Sequence, residues 1–362
     1  MYTPKEFERA VKNSEGLICY GVGKRFHMFL RQYQNSDVIK RLLYCIDANK
    51  KLQGKEIMVG ERPIPVYPVA KLNEIRNRKV ILLITNYYYE QVVDDLERLS
   101  YLEGVQYYCY THLHGMILEE NALHKKIPAD IRITSRPVIP KKIHYCWFGG
   151  GPVPDKYQKW MESWKKFCPD YEIIRWDESN YDVRKNAYMY EAYQCEKWGF
   201  VPDYARLDII YEHGGIYLDT DVELVANLDD LLYQKAWFGF EREESVALGL
   251  GFGAIKKMPL IGEMMEFYAN RHFINEAGQP DLTASPIYQT DFLVKKGLKL
   301  NGEYQRIGDA VIYPEKMFSG KCPYTRRVRL TSYTKSIHHY EATWADDEFK
   351  GRNERFEREM NS

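Results

Sequence analysis

Apolar positions in the first 110 residues alternate between short, dense runs and runs of helical period. Residues 17–20 read as a strand, Gly21, Val22 and Gly23 as a turn, and Phe26, Phe29, Leu30 and Tyr33 as one face of a helix. Residues 42–46, closing at Asp47, and residues 80–84 predict two further strands, and Val92, Val93, Leu96 and Leu99 a second helix face. This rhythm predicts a small α/β domain over residues 1–120, with a parallel sheet covered by helices. Thr3, Pro4 and Glu6 have the spacing of a helix start, with cap, first turn and capping-box acid.

The pattern weakens between residues 111 and 140, where prolines stand at 128, 137 and 140, and a linker is expected at 121–137. A second α/β rhythm begins at Lys141. Residues 143–148 and 172–176 read as strands, and Trp160, Met161, Trp164, Phe167 and Cys168 line a helix face between them. A second domain is expected over 138–345, then a charged helix or tail over 346–362.

The most informative run is residues 201–222, VPDYARLDIIYEHGGIYLDTDV. Tyr204, Leu207, Ile210 and Tyr211 recur at helical spacing and predict a short amphipathic helix over 202–213. Asp203 lies in its first turn, where a carboxylate meets the positive end of the helix dipole. Arg206 follows three residues later, on the same face. Gly214 and Gly215 stop the helix, and residues 216–219 read as a buried strand ending in Asp219-Thr220-Asp221. Two carboxylates one residue apart at a strand end can share a hard divalent cation, Mg²⁺ or Mn²⁺, which keeps positions for phosphate oxygens. A diphosphate leaving group needs such charge neutralisation.

Composition narrows the field. Acidic and basic residues balance, 51 against 51, so no global field holds nucleic acid. No run approaches the length of apolar residues that a transmembrane helix needs, and the first residues lack the apolar core of a secretory signal. Seven irregularly spaced cysteines form neither a disulfide framework nor a zinc pattern, so a reducing cytoplasm is expected. Gly21, Gly23 and Asp47 make half of a dinucleotide-binding fingerprint, but position 26 is Phe where the third glycine would stand. Gly249, Gly251 and Gly253 lack the Lys-Ser/Thr of a phosphate loop and read as close-packed backbone. Glu241, Glu243 and Glu244 read as a charged turn, with an acceptor-side carboxylate as the alternative.

The 201–222 run resembles the DXD region of glycosyltransferase family 32, and is also similar to the large clostridial toxin glucosyltransferases. Three further stretches resemble these enzymes in the same order: residues 139–149 (IPKKIHYCWFG), 311–318 (VIYPEKMF) and 336–344 (SIHHYEATW). The family's usual Ser-Trp is Thr343-Trp344 here, which keeps the hydroxyl.

The resemblance implies a GT-A-type nucleotide-sugar-binding α/β sandwich. The preceding domain resembles, through Asp47-Ala48-Asn49-Lys50-Lys51 and Gly54, the small Rossmann-like modules attached to bacterial polysaccharide-synthesis enzymes, and would bind a nucleotide or brace the catalytic domain or a partner. The family resemblance implies a nucleotide-sugar donor, with UDP-sugars favoured, and Mn²⁺ or Mg²⁺ as cofactor. Trp147 would stack on the nucleobase with the backbone of Cys146 holding its edge. Asp203 and Arg206 would bind the donor sugar and diphosphate, and Tyr217 would line the pocket. Asp221 would ligate the metal, with Asp219 on the ribose or on the metal through water. His338 or His339 would add a ligand, and Trp344 would contact the β-phosphate. Asp208 would contact the donor sugar or pair locally. Transfer with retention is expected, to a glycan or lipid-linked oligosaccharide in bacterial capsule, exopolysaccharide or lipopolysaccharide synthesis. That acceptor would place the protein in the cytoplasm, in peripheral association with the inner membrane face. A nucleotide-sugar oxidoreductase or epimerase using the N-terminal glycines, and a non-catalytic scaffold, are the alternatives.

Overall fold

The structure is a computed structural model that describes residues 3–86 and 89–341, with 351, 354, 355 and 358. The chain divides into two compact units, Met1–Glu120 with Arg352–Ser362, and Asn121–Gly351. Both are α/β, the class that the apolar pattern predicts.

In the first unit the strands are β1 (Gly16–Tyr20), β2 (Leu42–Ile46), β3 (Glu56–Val59), β4 (Arg62–Tyr67), β5 (Val80–Ile84) and β6 (Gln106–Cys109). They lie in the order β3-β4-β2-β1-β5-β6, all parallel except β3, which runs antiparallel to β4. Every residue of β1 is buried, as a central parallel strand covered on both faces requires. The helices are α1 (Pro4–Lys12), α2 (Lys24–Gln32), α3 (Asp37–Lys40), α4 (Tyr89–Glu97) and α5 (Tyr110–His124). The expected capping box starts α1: Glu6 N–H donates to Thr3 Oγ1 at 3.2 Å, and Thr3 N–H to Glu6 Oε2 at 2.8 Å. Helix α5 occupies the stretch where the pattern weakens, and its last turn enters the expected linker. It buries Tyr110, Leu113 and Met116, but Gly115 and two histidines among them, His112 and His114, break the apolar rhythm.

The second unit carries β7 (Lys142–Cys146), β8 (Glu172–Trp176), β9 (Gly215–Tyr217), β10 (Val222–Leu224), β11 (Ala236–Arg242), β12 (Ser245–Val246), β13 (Phe252–Ala254), β14 (Gln305–Ile307), β15 (Ala310–Tyr313) and β16 (Ser336–His338). Its main sheet has the order β14-β15-β11-β13-β9-β7-β8, with β12 paired to β11. β13 is antiparallel to both neighbours, so β9, β7 and β8 form a parallel set on one side of it. β10 and β16 pair separately. The helices are α6 (Asp155–Phe167), α7 (Ala187–Gln194), α8 (Pro202–His213), α9 (Pro259–Ala269) and α10 (Ser285–Lys295).

Strand alternation gives each face of the sheet its own core. Ile216 joins Trp164, Trp237, Tyr313 and Phe318 on one face, and Tyr217 joins Tyr188, Phe238, Phe252 and Tyr268 on the other. α6 is tied to β10 by side chains: Trp164 Nε1 donates to Val222 O, and Leu224 N–H to Ser163 Oγ, both at 2.8 Å.

Helix α8 departs from expectation. Asp203, Ala205, Arg206, Leu207, Asp208, Ile209 and Ile210 are all buried, and the last turn, with Glu212 paired to Lys257, reaches solvent. Asp203, Arg206 and Asp208 point into the protein, and the apolar period of Tyr204, Leu207, Ile210 and Tyr211 marks only part of the covered surface. Among the described residues, no helix is long and apolar enough to cross a membrane.

Candidate active site

The site begins where α8 ends. Gly214 (φ +65°) and Gly215 (φ +113°) turn the chain into β9 with backbone angles that other residues rarely adopt. His144 on β7 fixes this turn. Its Nδ1 accepts from Trp176 Nε1 at 3.0 Å, so its Nε2 carries the proton and donates to Gly214 O at 3.0 Å. Burial pushes the His144 pKa down to about 4, so the ring is neutral and structural.

β9 then delivers Asp219. Its N–H donates to Gly249 O at 3.3 Å, and its carbonyl closes a turn by accepting from Val222 N–H at 3.1 Å. A Cβ on Gly249 would stand 2.2 Å from Asp219 Oδ2, so a glycine is required beside this carboxylate. The same turn places Asp221 under β16. Pairing of Val222 with His338 sets the register, Asp221 O accepts from His339 N–H at 3.0 Å, and Asp221 Oδ2 accepts from Glu341 N–H at 3.1 Å. His338 Nε2 lies 3.2 Å from Asp221 Oδ1. Donor atoms of Asp219, Asp221 and His338 all fall within 4.8 Å of one another.

Behind them lies a buried ion cluster. Arg206 Nη2 is 3.2 Å from Asp203 Oδ1 and 3.6 Å from Asp219 Oδ1, and Arg206 Nε donates to Pro202 O at 3.0 Å. Asp203 and Arg206 are 3% and 4% exposed, which rules out a weak surface pair. Tyr217 lies beneath the guanidinium, 5.1 Å from ring centroid to Cζ, and is fully buried. It supports Arg206 from below rather than forming an open pocket wall. Cys146 is also buried, and burial pushes its thiol up to about 12.

The carboxylates titrate apart. Burial raises Asp203 to about 6 against the pull of Arg206, and burial likewise raises Asp219. Burial would raise Asp221 too, but the adjoining imidazole outweighs it and holds the carboxyl at about 2. In return the Asp221 charge lifts His338 above its ordinary value, against the opposing effect of burial. Two carboxylates thus face one guanidinium and a third faces His338, so with that imidazole neutral, as a metal ligand is, the cluster carries two uncompensated negative charges. Two carboxylates and an imidazole suit a divalent cation, Mn²⁺ better than Mg²⁺, because nitrogen is an unusual ligand for the latter.

His339 is corrected as a metal ligand. Strand alternation turns it to the opposite side, where its ring stacks on Trp160 at 3.9 Å and 9° and its Nε2 meets Glu223 Oε2 at 2.9 Å. Trp147 is half-buried past the end of β7, with Nε1 donating to Gly151 O at 2.8 Å. Asp208 pairs within the unit, accepting from Tyr181 OH at 2.8 Å and Lys185 Nζ at 2.7 Å. Glu241 lies 3.1 Å from Arg242, in a local pair. Trp344, and most of the charged 346–362 segment, lie outside the described residues.

Residues that carry this geometry define the class. Residues 154–237 match the family model described as "Glycosyltransferase sugar-binding region containing DXD motif", and Asp219-Thr220-Asp221 is the chain's DXD. Particular relatives follow from the sequence. Inositol phosphoceramide mannosyltransferase 3 of Schizosaccharomyces pombe is 30% identical over 142 residues, covering 37% of this chain and 40% of the relative. Inositol phosphoceramide mannosyltransferase 2 of the same yeast is 33% identical over 109 residues, covering 29% and 31%. An uncharacterized glycosyltransferase of Acanthamoeba polyphaga mimivirus is 24% identical over 200 residues, covering 52% and 78%. The chain thus spans less than half the length of the two yeast relatives. Among solved structures, the PaToxG glycosyltransferase superposes with a TM-score of 0.34 at 15% identity, over 52% of this chain and 78% of that one.

Proposed function

We propose that the chain is a metal-dependent glycosyltransferase that moves a sugar from a nucleoside-diphosphate donor to a hydroxyl of a glycan acceptor. The observation that carries this reading is the convergence of Asp219, Asp221 and His338 in front of the buried Asp203–Arg206 pair. Asp221 and His338 would hold the cation, with Asp219 completing the set. The cation, when bound, neutralises the diphosphate as it departs. Arg206, held between two carboxylates, contributes fixed positive charge behind it. Trp147 offers a ring to the nucleobase.

We read the second unit as of GT-A type and the reaction as retaining. The acceptor oxygen attacks the anomeric carbon on the face the diphosphate leaves, and the acceptor proton passes to a leaving phosphate oxygen. A UDP-sugar donor is favoured, Mn²⁺ is the preferred ion, and the acceptor is a glycan on a lipid carrier. The yeast relatives' names, which join a mannosyl group to inositol phosphoceramide, support a lipid acceptor. We place the activity in bacterial capsule, exopolysaccharide or lipopolysaccharide synthesis at the cytoplasmic membrane face.

In the first unit, Asp47 Oδ2 accepts from Val22 N–H at 3.0 Å and Oδ1 from Asn49 N–H at 2.8 Å. Those bonds tie Asp47 to its own loop and to the glycine turn, and with Phe26 where the third glycine would stand they favour a structural role over an oxidoreductase. A thermal-shift panel of UDP, GDP and their sugars, with and without Mn²⁺, tests the main reading. Metal-dependent stabilisation by one nucleotide, lost in Asp221→Asn, is expected. Stabilisation by NAD alone would refute it, and an inverted anomeric proton in the product would refute retention.

A further inference from the structure

Four rings run from Trp147 along the start of α6 to His339, next in sequence to His338. Trp147 meets Tyr157 edge to face at 6.0 Å and 71°, Tyr157 stacks on Trp160 at 5.5 Å and 20°, and Trp160 stacks on His339 at 3.9 Å. His339 follows His338 in sequence with its ring turned away from Asp221, so the ladder ends one residue from the metal set and behind it. A second tie runs parallel to it: Lys156 Nζ pairs with Glu341 at 2.7 Å, and Glu341 N–H donates to Asp221 Oδ2. Tyr157 is therefore held on both sides, its residue 8% exposed, between Trp147 and Asp221. Among the described residues its hydroxyl has no hydrogen-bond partner.

A nucleoside diphosphate is a linear ligand, with base, ribose and two phosphates in series. With the base on Trp147 and the outer phosphate at the metal, the ribose and inner phosphate must cross the face between them. On the functional reading above, we propose that Tyr157 is a donor-binding residue whose hydroxyl donates a hydrogen bond to the inner phosphate. A hydroxyl at this point is a donor rather than a base: burial, with Glu341 and Asp221 nearby, pushes its pKa up to about 12. The flanking rings fix its direction and reduce the entropy lost when it binds.

Tyr157→Phe keeps all ring contacts and removes only the hydroxyl. Calorimetric titration with UDP and GDP in Mn²⁺, and with uridine and guanosine, separates the contributions of phosphate and base. The wild type is expected to bind one diphosphate, and Tyr157→Phe to bind it about tenfold more weakly, the cost of one hydrogen bond to a charged group. Affinity for the matching nucleoside is expected to be unchanged, whereas a ring acting only as packing would leave both affinities unchanged. Wild-type binding that Tyr157→Phe does not alter overturns this inference alone. An equal loss of nucleoside and diphosphate affinity also overturns it, by placing the hydroxyl on the base or ribose. Failure of the wild type to bind either diphosphate overturns the functional reading, and this inference with it.

Discussion

Both units set an aspartate just past the end of a parallel strand and close to a glycine of another segment, yet the two places are treated differently. Asp47 is satisfied by the N–H groups of Val22 and Asn49, and its loop is closed by Asn86, whose Oδ1 would lie 2.4 Å from a Cβ on Gly21. Asp219 and Asp221 face each other, an arginine and an imidazole, with more negative charge than their neighbours cancel. A carboxylate satisfied by backbone donors completes a fold. Carboxylates crowded together without enough positive charge call for a cation.

The sharpest way to break this comparison is a pair of Asp→Asn variants. On the proposed reading, Asp221→Asn should reduce sugar transfer on the order of 1000-fold while leaving the fold intact, because it would remove a ligand to the leaving-group cation. Asp47→Asn should leave transfer unchanged and cost about 1 kcal/mol in denaturant unfolding. A transfer defect in Asp47→Asn would give the first unit a share in the chemistry.

Glycine variants extend the same contrast. Gly249→Ala forces a methyl group against Asp219, and a displacement of about 1 Å predicts roughly 100-fold lower kcat/KM. Gly23→Ala, where nothing lies within 4 Å, should leave steady-state kinetics unchanged. The adjacent histidines should separate by about tenfold in Mn²⁺ affinity: His338→Ala weakens binding, and His339→Phe, which keeps the stack on Trp160, does not. Calorimetric titration with Mn²⁺ would distinguish them.

The smallest contrast concerns acid. Each unit holds a neutral histidine whose pKa is depressed to about 4, half-buried His114 in the first and buried His144 in the second, mainly by desolvation. The unfolded chain binds a proton near pH 6.5 that the folded chain refuses until about pH 4. Stability from each is therefore complete above 6.5 and falls by about 3 kcal/mol as pH drops to 4. Hydrogen exchange at β1 and β7 should show both units weakening over that window, and His144→Phe should flatten the slope at β7 alone.

Local pattern carried much of this in the sequence. Residues 17–20, 42–46, 80–84 and 172–176 are strands because each is a dense apolar run, and Gly214-Gly215 marks the end of α8 through a conformation other residues rarely adopt. Asp219-Thr220-Asp221 stood out because a strand delivers both carboxylates to one turn. What was not legible depends on partners far along the chain. Whether His338 or His339 faces Asp221 is decided by the pairing of β10 with β16, more than a hundred residues apart. Gly249 looked like generic close packing until the structure set it against Asp219. The period of α8 predicts an amphipathic helix, because sequence periodicity cannot show that a second layer covers Asp203, Arg206 and Asp208. Tyr157 shares a helix face with Trp160 and Trp164, a spacing that could have included it.

The most direct test of the central claim is release of nucleoside diphosphate from a panel of UDP- and GDP-sugars. The wild type and Asp221→Asn would each be assayed in Mn²⁺ and in EDTA. Turnover of at least one donor by the wild type in Mn²⁺, absent in EDTA and in Asp221→Asn, is the predicted result. Release that persists undiminished in EDTA or in Asp221→Asn, or no release from any donor by the wild type in Mn²⁺, would contradict a metal-dependent transferase site at Asp219, Asp221 and His338.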